Sequence, residues 1–267
     1  MKNIFNISDK VIVLTGATGI LGEPIALHLA ECGAQVVLLA RNESKAEALA
    51  QKSDGKIAYA IADALDLPSV ERAYNEVIEK FSKVDVIVNL AGGNQAGATI
   101  PDDKTLYDVD LEAIRAVVDL NLFGTLIPTL VFSKSMAERK EGSIINIASL
   151  SAIRPLTRVM GYGVAKAAIV NLTQYLCGEM AAKFSPNIRV NAIAPGFFLT
   201  EQNRTLLTNP DGTYTDRANK IIAHTPFNRF GEPEELIGAV HYLCSGASSF
   251  MSGEVMVIDG GFNAFSI

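Results

Sequence analysis

A chain of 267 residues with 49% hydrophobic and 19% charged residues is long enough for a sizeable buried core and too apolar to be disordered. The net charge of −6, with no basic stripe, excludes a nucleic-acid footprint, and no uninterrupted apolar run of bilayer length is present. The opening MKNIFNISDK lacks the apolar run of a secretory signal, and three scattered cysteines read as buried small hydrophobes in a reducing cytoplasm.

Short apolar runs alternate with longer helical patterns. Lys10–Leu14 predicts a strand, Ile20–Cys32 a helix ended by Gly33, and Gln35–Leu39 a second strand before a helix at Ser44–Gln51. Lys56–Ile61 predicts a third strand, followed by a helix from Pro68 or Ser69 to Phe81. Val84–Leu90, Ser143–Ala148 and Ile188–Ile193 predict the fourth to sixth strands. Long helical stretches lie between them, at Asp108–Arg139 and Gly161–Phe184. Glu232–Ser245 predicts a further helix and Val255–Ile258 a last strand. The strands are continuous Val/Ile runs, as in a parallel sheet covered on both faces. The expected fold is α/β, a doubly wound parallel sheet of the Rossmann type, in one domain over 1–267. A polar, loop-rich insertion at about 200–229 is of a length more typical of a functional lid.

The first strand runs into Thr15-Gly16-Ala17-Thr18-Gly19-Ile20-Leu21-Gly22 and then a helix. Glycines there let the backbone approach a pyrophosphate, and the helix start offers unpaired N–H groups. An ordinary tight turn gives the same letters, but its place on the first crossover favours a dinucleotide. Gly16, Thr18, Gly19, Ile20 and Leu21 are the candidate contacts. The second strand ends in Ala40-Arg41, where an acid would hold the ribose hydroxyl of NAD. Arg41 can instead pair with a 2′-phosphate, so NADP is mildly favoured over NAD. A solvated or adenine-stacking Arg41 would tolerate either. Asp63, beside Ala64 at the end of the third strand, is a candidate for the adenine amino group or a turn aspartate. Asn89, Ala91 and Gly92 close the fourth strand.

The cysteines, Cys32, Cys177 and Cys244, are far apart and odd in number, which argues against disulfides or a thiolate metal site. His28, His224 and His241 show no ligand spacing. His28 and His241 sit in apolar helical patterns and are expected to pack, so no metal is expected.

Tyr162 and Lys166, four apart in a helical pattern, share a helix face. Ser149 directly follows the fifth strand, and ligands in such sheets bind beyond the strands' carboxyl ends. Asn121 and Gly124 interrupt the long preceding helix with poor helix formers.

Thr15–Gly22, Asn89-Leu90-Ala91-Gly92, Asn121-Leu122-Phe123-Gly124, Ile147-Ala148-Ser149, Tyr162–Lys166, Pro195-Gly196 with Thr200, and Asp259-Gly260-Gly261 together resemble the short-chain dehydrogenase/reductase family. The resemblance covers nearly the whole chain. The glycine turn departs from it, since its G-x-x-G-x-x-G spacing is similar to that of the family's extended branch. The resemblance implies an NAD(P)-dependent enzyme acting on CH–OH groups. Tyr162 would be the proton donor, acidified by Lys166; Ser149 would orient the substrate oxygen, and Asn121 would hold a water leading from Lys166 to solvent. Tyr162 and Lys166 would also contact the cofactor, with Pro195, Gly196, Phe198 and Thr200 at its nicotinamide end. A non-catalytic nucleotide sensor on this fold would be expected to lose Tyr or Lys, and both are present.

The stretches 91–95, 194–204 and 260–263 resemble the family's sugar-acid members. They imply a keto sugar acid and its hydroxy acid, D-fructuronate and D-mannonate first and a gluconate-type acid second. Asn94, Ser149, Arg154 and Arg204 are the candidate substrate contacts, Arg204 the preferred clamp. A polyol, steroid or acyl-chain ketone is the alternative, which Phe197, Phe198 and Phe227 keep open. A homotetramer is expected, through the apolar part of 108–139 and the C-terminal segment 253–267.

Overall fold

The computed structural model describes residues 3–200, 204 and 207–265. Seven parallel strands form its sheet: β1 Val11–Thr15, β2 Gln35–Ala40, β3 Ile57–Ile61, β4 Val86–Asn89, β5 Gly142–Ile147, β6 Ile188–Pro195 and β7 Val255–Ile258. Their spatial order is β3-β2-β1-β4-β5-β6-β7. The order reverses between β1 and β4, which pair in register from Ile12↔Val86 to Thr15↔Asn89. A crevice opens beyond the carboxyl ends of strands at such a reversal.

The strands bury both faces because their side chains alternate between two apolar layers. Ile12, Leu14, Val36, Leu38, Val86, Val88 and Ile145 pack with Ile25 and Leu29 of α1 (Gly22–Glu31) and Val240 and Leu243 of α8 (Ile237–Cys244). On the other face Val13, Val37, Ile87, Ile144 and Val190 meet Val70 and Val77 of α3 (Leu67–Phe81). They also meet Phe132 and Met136 of α5 (Gly124–Arg139) and Leu176 of α6 (Met160–Lys183). Each fully buried Val, Leu or Ile stabilises the fold by about 1.5–3 kcal/mol.

Three expected elements come out differently. The stretch at 108–139 is two helices, α4 (Leu111–Val118) and α5, joined by a π-turn over Asp119–Phe123 that contains Asn121. Such single turns recur at functional sites. The run Leu111–Arg139 has a mean hydropathy of 1.6 in its most apolar window, yet half of that window is buried, as a helix packed on a sheet requires. The segment Glu232–Ser245 begins as a 3-10 turn, Pro233–Leu236, before α8. The insertion is more ordered than a loop. Thr215 caps α7 (Asp216–His224), and Ala218 and Ile221 pack with Leu207 and Phe230. Glu201, Gln202, Asn203 and residues 205 and 206 lie outside the described residues, as do 1–2 and 266–267. The remaining helix, α2, spans Glu43–Ala50.

Candidate active site

The glycine turn closes a cradle at the end of β1. Gly16 adopts φ +66, and a Cβ there would stand 2.7 Å from Ala91 N. A Cβ on Gly22 would stand 2.5 Å from Ala17 Cα. Only glycine allows both the left-handed backbone and this approach. Thr15 locks the same corner, its Oγ1 accepting the N–H groups of Leu90 (3.1 Å) and Ala91 (3.0 Å).

The cradle leads into a cavity of about 580 Å³. Gly16, Thr18, Gly19, Ile20 and Leu21 line it, as do Arg41, Asp63, Ala64, Ala91, Gly92, Ser149, Tyr162, Pro195, Gly196, Phe198 and Thr200. Its elongated wall, from a glycine turn to the β5 and β6 ends, suits a dinucleotide with its pyrophosphate on the α1 start. Lys45 also lines this cavity beside Arg41, a cation that the sequence reading missed. Its position in the first turn of α2, four residues after Arg41, was the available signal. Asp63 serves its own turn as well, accepting Leu65 N at 3.0 Å.

Asn89 is elsewhere. It is buried beneath the cavity, donating to Thr129 Oγ1 and Asn146 Oδ1, both at 2.8 Å. Asn146 in turn donates to Thr173 Oγ1 at 2.9 Å. This chain of donors ties β4 and β5 to α5 and α6, while Asn89 Oδ1 is buried with no hydrogen-bond partner among the described residues. Asn89 thus positions the helix carrying the tyrosine rather than lining the cofactor cavity.

The catalytic candidates converge. Ser149 lies two residues beyond β5, and its Oγ accepts Ser151 N at 3.2 Å at the start of a 3-10 turn. Tyr162 lies in the first turn of α6, admitted close to α4 because Gly161 faces Ile114; a Cβ on Gly161 would stand 3.0 Å from it. One turn on, Lys166 is buried and donates to Ile147 O at 2.7 Å. Its Nζ stands 5.7 Å from the Tyr162 ring centre. The Asn121 side chain is engaged with backbone. Its Oδ1 accepts Gly93 N at 3.1 Å, and its Nδ2 donates to Gly93 O at 2.7 Å and Val117 O at 2.8 Å. It thereby fixes the Gly92-Gly93 bend, whose space it shares with Lys166: a Cβ on Gly92 would meet Asn121 Oδ1 at 2.5 Å and Lys166 Nζ at 3.1 Å.

The electrostatics differ from the expectation for the tyrosine. Burial pushes the Tyr162 phenol above its ordinary value, and the hydrogen bond with Ser149 opposes this only in part. Burial also pushes Lys166 down, to about 8. Both groups lean toward their neutral forms because burial disfavours the charged form of each.

A second cavity, of about 710 Å³, shares Ser149, Tyr162, Gly196, Phe197 and Thr200 with the first. Asn94 lines it, and Asn94 Nδ2 donates to Thr99 Oγ1 at 2.9 Å. Two cations the sequence reading missed, Lys104 and Arg217, also line it. Nothing local in the sequence marks Arg217; α7 brings it over the cavity. Arg217 is half-buried and donates to Thr157 Oγ1 at 3.2 Å. Among the described residues no carboxylate is in ion-pair contact with it, although Asp102, itself paired with Arg158, is close enough to attract it. Arg154 is placed differently from expectation. Its guanidinium donates to Phe262 O at 3.1 Å, and it lines neither cavity, so it braces the C-terminal turn. Arg204 is exposed and outside both linings.

Similarity to known proteins agrees with this geometry. A family model described as enoyl-(acyl carrier protein) reductase matches residues 16–263. An uncharacterized oxidoreductase of Haemophilus influenzae is 41% identical over 276 residues, covering 98% of this chain and 95% of the relative. A solved structure from the same species, provisionally named a D-mannonate oxidoreductase and holding bound NAD, is 40% identical with a TM-score of 0.91 over 99% of both chains. A gluconate 5-dehydrogenase from Burkholderia cenocepacia, in complex with NADP and tartrate, is 29% identical with a TM-score of 0.87 over 98% of both. Matched by the family model over residues 16–263 and by these relatives along almost its full length, the chain belongs to the short-chain dehydrogenase/reductase family and is an oxidoreductase of alcohol and ketone groups.

Proposed function

We propose that the protein interconverts a keto sugar acid and its hydroxy acid, D-fructuronate and D-mannonate being the favoured pair, with NADP preferred to NAD. The observation that carries this reading is Arg217 on the wall of the cavity that reaches Ser149 and Tyr162, with no described carboxylate in ion-pair contact and with Asp102 engaged by Arg158. A guanidinium so placed suits the carboxylate of a hexuronate, and Asn94 suits its hydroxyls.

When bound, the dinucleotide supplies or accepts the hydride. The chain's own residues manage the proton. In the reducing direction Ser149 hydrogen-bonds the substrate carbonyl oxygen, and Tyr162 transfers its phenolic proton to that oxygen as the alcohol forms. Lys166 steadies the resulting phenolate. Arg41 and Lys45 together offer two cations to a 2′-phosphate.

The test is a panel of hexonates, polyols and ketones with NADH and NADPH, read by nicotinamide absorbance, on wild type and Arg217→Ala. The variant is expected to raise KM for the sugar acid by about 10–100-fold, the worth of a hydrogen bond to a charged group, while leaving an uncharged ketone unaffected. Equal effects on both substrates, or no turnover of any hexonate, would remove the sugar-acid reading. A second reading, an acyl-chain ketone, draws on the apolar wall of Ile100, Leu150, Leu156, Val159 and Phe197, and the same panel separates it.

We also infer a homotetramer in the cytoplasm. Leu111 and Leu130 of α4 and α5 are 61% and 53% exposed, and Phe265 near the C-terminus is 43% exposed. Apolar side chains grouped on a surface mark contact sites. Light scattering giving a monomer mass at micromolar concentration would exclude the assembly.

A further inference from the structure

Where α1 meets α8, three soft ligands come together outside both large cavities. His28 and Cys32 are four residues apart on one face of α1, Cys32 closing the helix. His241 faces them from α8. His28 Nε2 is 3.0 Å from His241 Nδ1, and Cys32 Sγ is 3.5 Å from His28 Nε2. The three ligand atoms all lie within 4.8 Å of one another. All three side chains are half-buried, so the site is sheltered yet reachable.

We propose that His28, Cys32 and His241 form a binding site for a zinc-class divalent ion. Zinc bonds of about 2.0–2.1 Å to nitrogen and 2.3 Å to sulfur on a tetrahedron place two nitrogens about 3.3 Å apart, and nitrogen and sulfur about 3.6 Å apart. The 3.0 and 3.5 Å separations need open by only a few tenths of an ångström, while Cys32 Sγ and the His241 nitrogen, within 4.8 Å of each other, must settle at about 3.6 Å. The outer contacts suit the role. His241 Nε2 is 2.8 Å from Phe5 O, an oxygen that only accepts. That nitrogen therefore carries the ring proton, and Nδ1 presents its lone pair to the cluster, the arrangement in which a backbone carbonyl orients a ligating imidazole. Binding sends the Cys32 thiol proton to solvent and moves the His28 ring proton from Nε2 to Nδ1, leaving three lone pairs on the ion. Water or the adjacent, exposed Glu31 completes the tetrahedron. A metal here links the first crossover helix, whose start carries the glycine cradle, to α8.

The full-length chain, stripped with a chelator, is titrated with Co²⁺ and then Zn²⁺. One equivalent of Co²⁺ is expected to give the visible bands of a tetrahedral site and a near-ultraviolet thiolate charge-transfer band, both erased by Zn²⁺. Cys32→Ser removes the charge-transfer band. Cys32→Ser and His241→Gln each weaken zinc binding by more than the roughly 10–100-fold that loss of an outer partner costs. Turnover stays at the wild-type level in both variants, whatever the substrate proves to be. Absence of one-to-one Co²⁺ binding, or a charge-transfer band that survives Cys32→Ser, overturns the proposal.

Discussion

The ammonium of Lys166 stands 5.7 Å from the ring centre of Tyr162 while its protons are directed at the backbone oxygen of Ile147, 2.7 Å away. One buried amine thus closes the β5 end and stands beside the Tyr162 ring, where the proposed proton transfer needs it.

That relationship predicts a pH signature in stability. Lys166 falls from an ordinary value of 10.5 to about 8 on folding, so between those values the unfolded chain holds the extra proton. Stability contributed by this group therefore rises with pH across that window, by up to about 3 kcal/mol, and is lowest below pH 8 where the buried ammonium is charged. Urea unfolding of wild type and Lys166→Met at pH 7.5, 9 and 10 checks it. The difference between the two should shift in favour of wild type as pH rises; a pH-independent difference contradicts the assignment.

Tyr162→Phe keeps the ring and its packing but removes the transferable proton. Turnover is expected to fall by at least about 10²–10⁴-fold, with dinucleotide affinity little changed. Stopped-flow turnover and fluorescence titration of the cofactor measure the two separately. Near-normal turnover would mean that another group moves the proton.

The glycines predict opposite signs at two places. Gly16→Ala forces a side chain into φ +66 and against Ala91, costing at least about 1–2 kcal/mol and weakening dinucleotide binding. Gly178→Ala, on the exposed side of α6 with nothing within 4 Å, should stabilise by about 0.5–1 kcal/mol. Denaturation midpoints of the pair, beside cofactor titrations, test both claims.

The proposed preference for NADP rests on the two cations beyond β2. Arg41→Ala combined with Lys45→Ala is expected to raise KM for NADPH about 10–100-fold or more while moving KM for NADH little. A parallel change in both constants would place the pair outside the 2′-phosphate site.

The sequence by itself determined the sheet and the outline of the site. Uninterrupted Val and Ile runs separated by helical periods left a parallel sheet covered on both faces as the arrangement that buries them. Gly16, Gly19 and Gly22, together with the Tyr162–Lys166 spacing, are local patterns within a few residues of chain, where geometry is fixed by the backbone. Tertiary structure alone decided what depends on distant segments meeting. Asn89 drops beneath the cavity, where Thr129 and Asn146 accept from its Nδ2, and Arg154 turns toward the carbonyl of Phe262. Arg217 reaches the second cavity only because Ala218 and Ile221 seat α7 on Leu207 and Phe230. His28 and His241 lie 213 positions apart, and their rings come within hydrogen-bonding distance only through the packing of two helices on one sheet face, which no local spacing records.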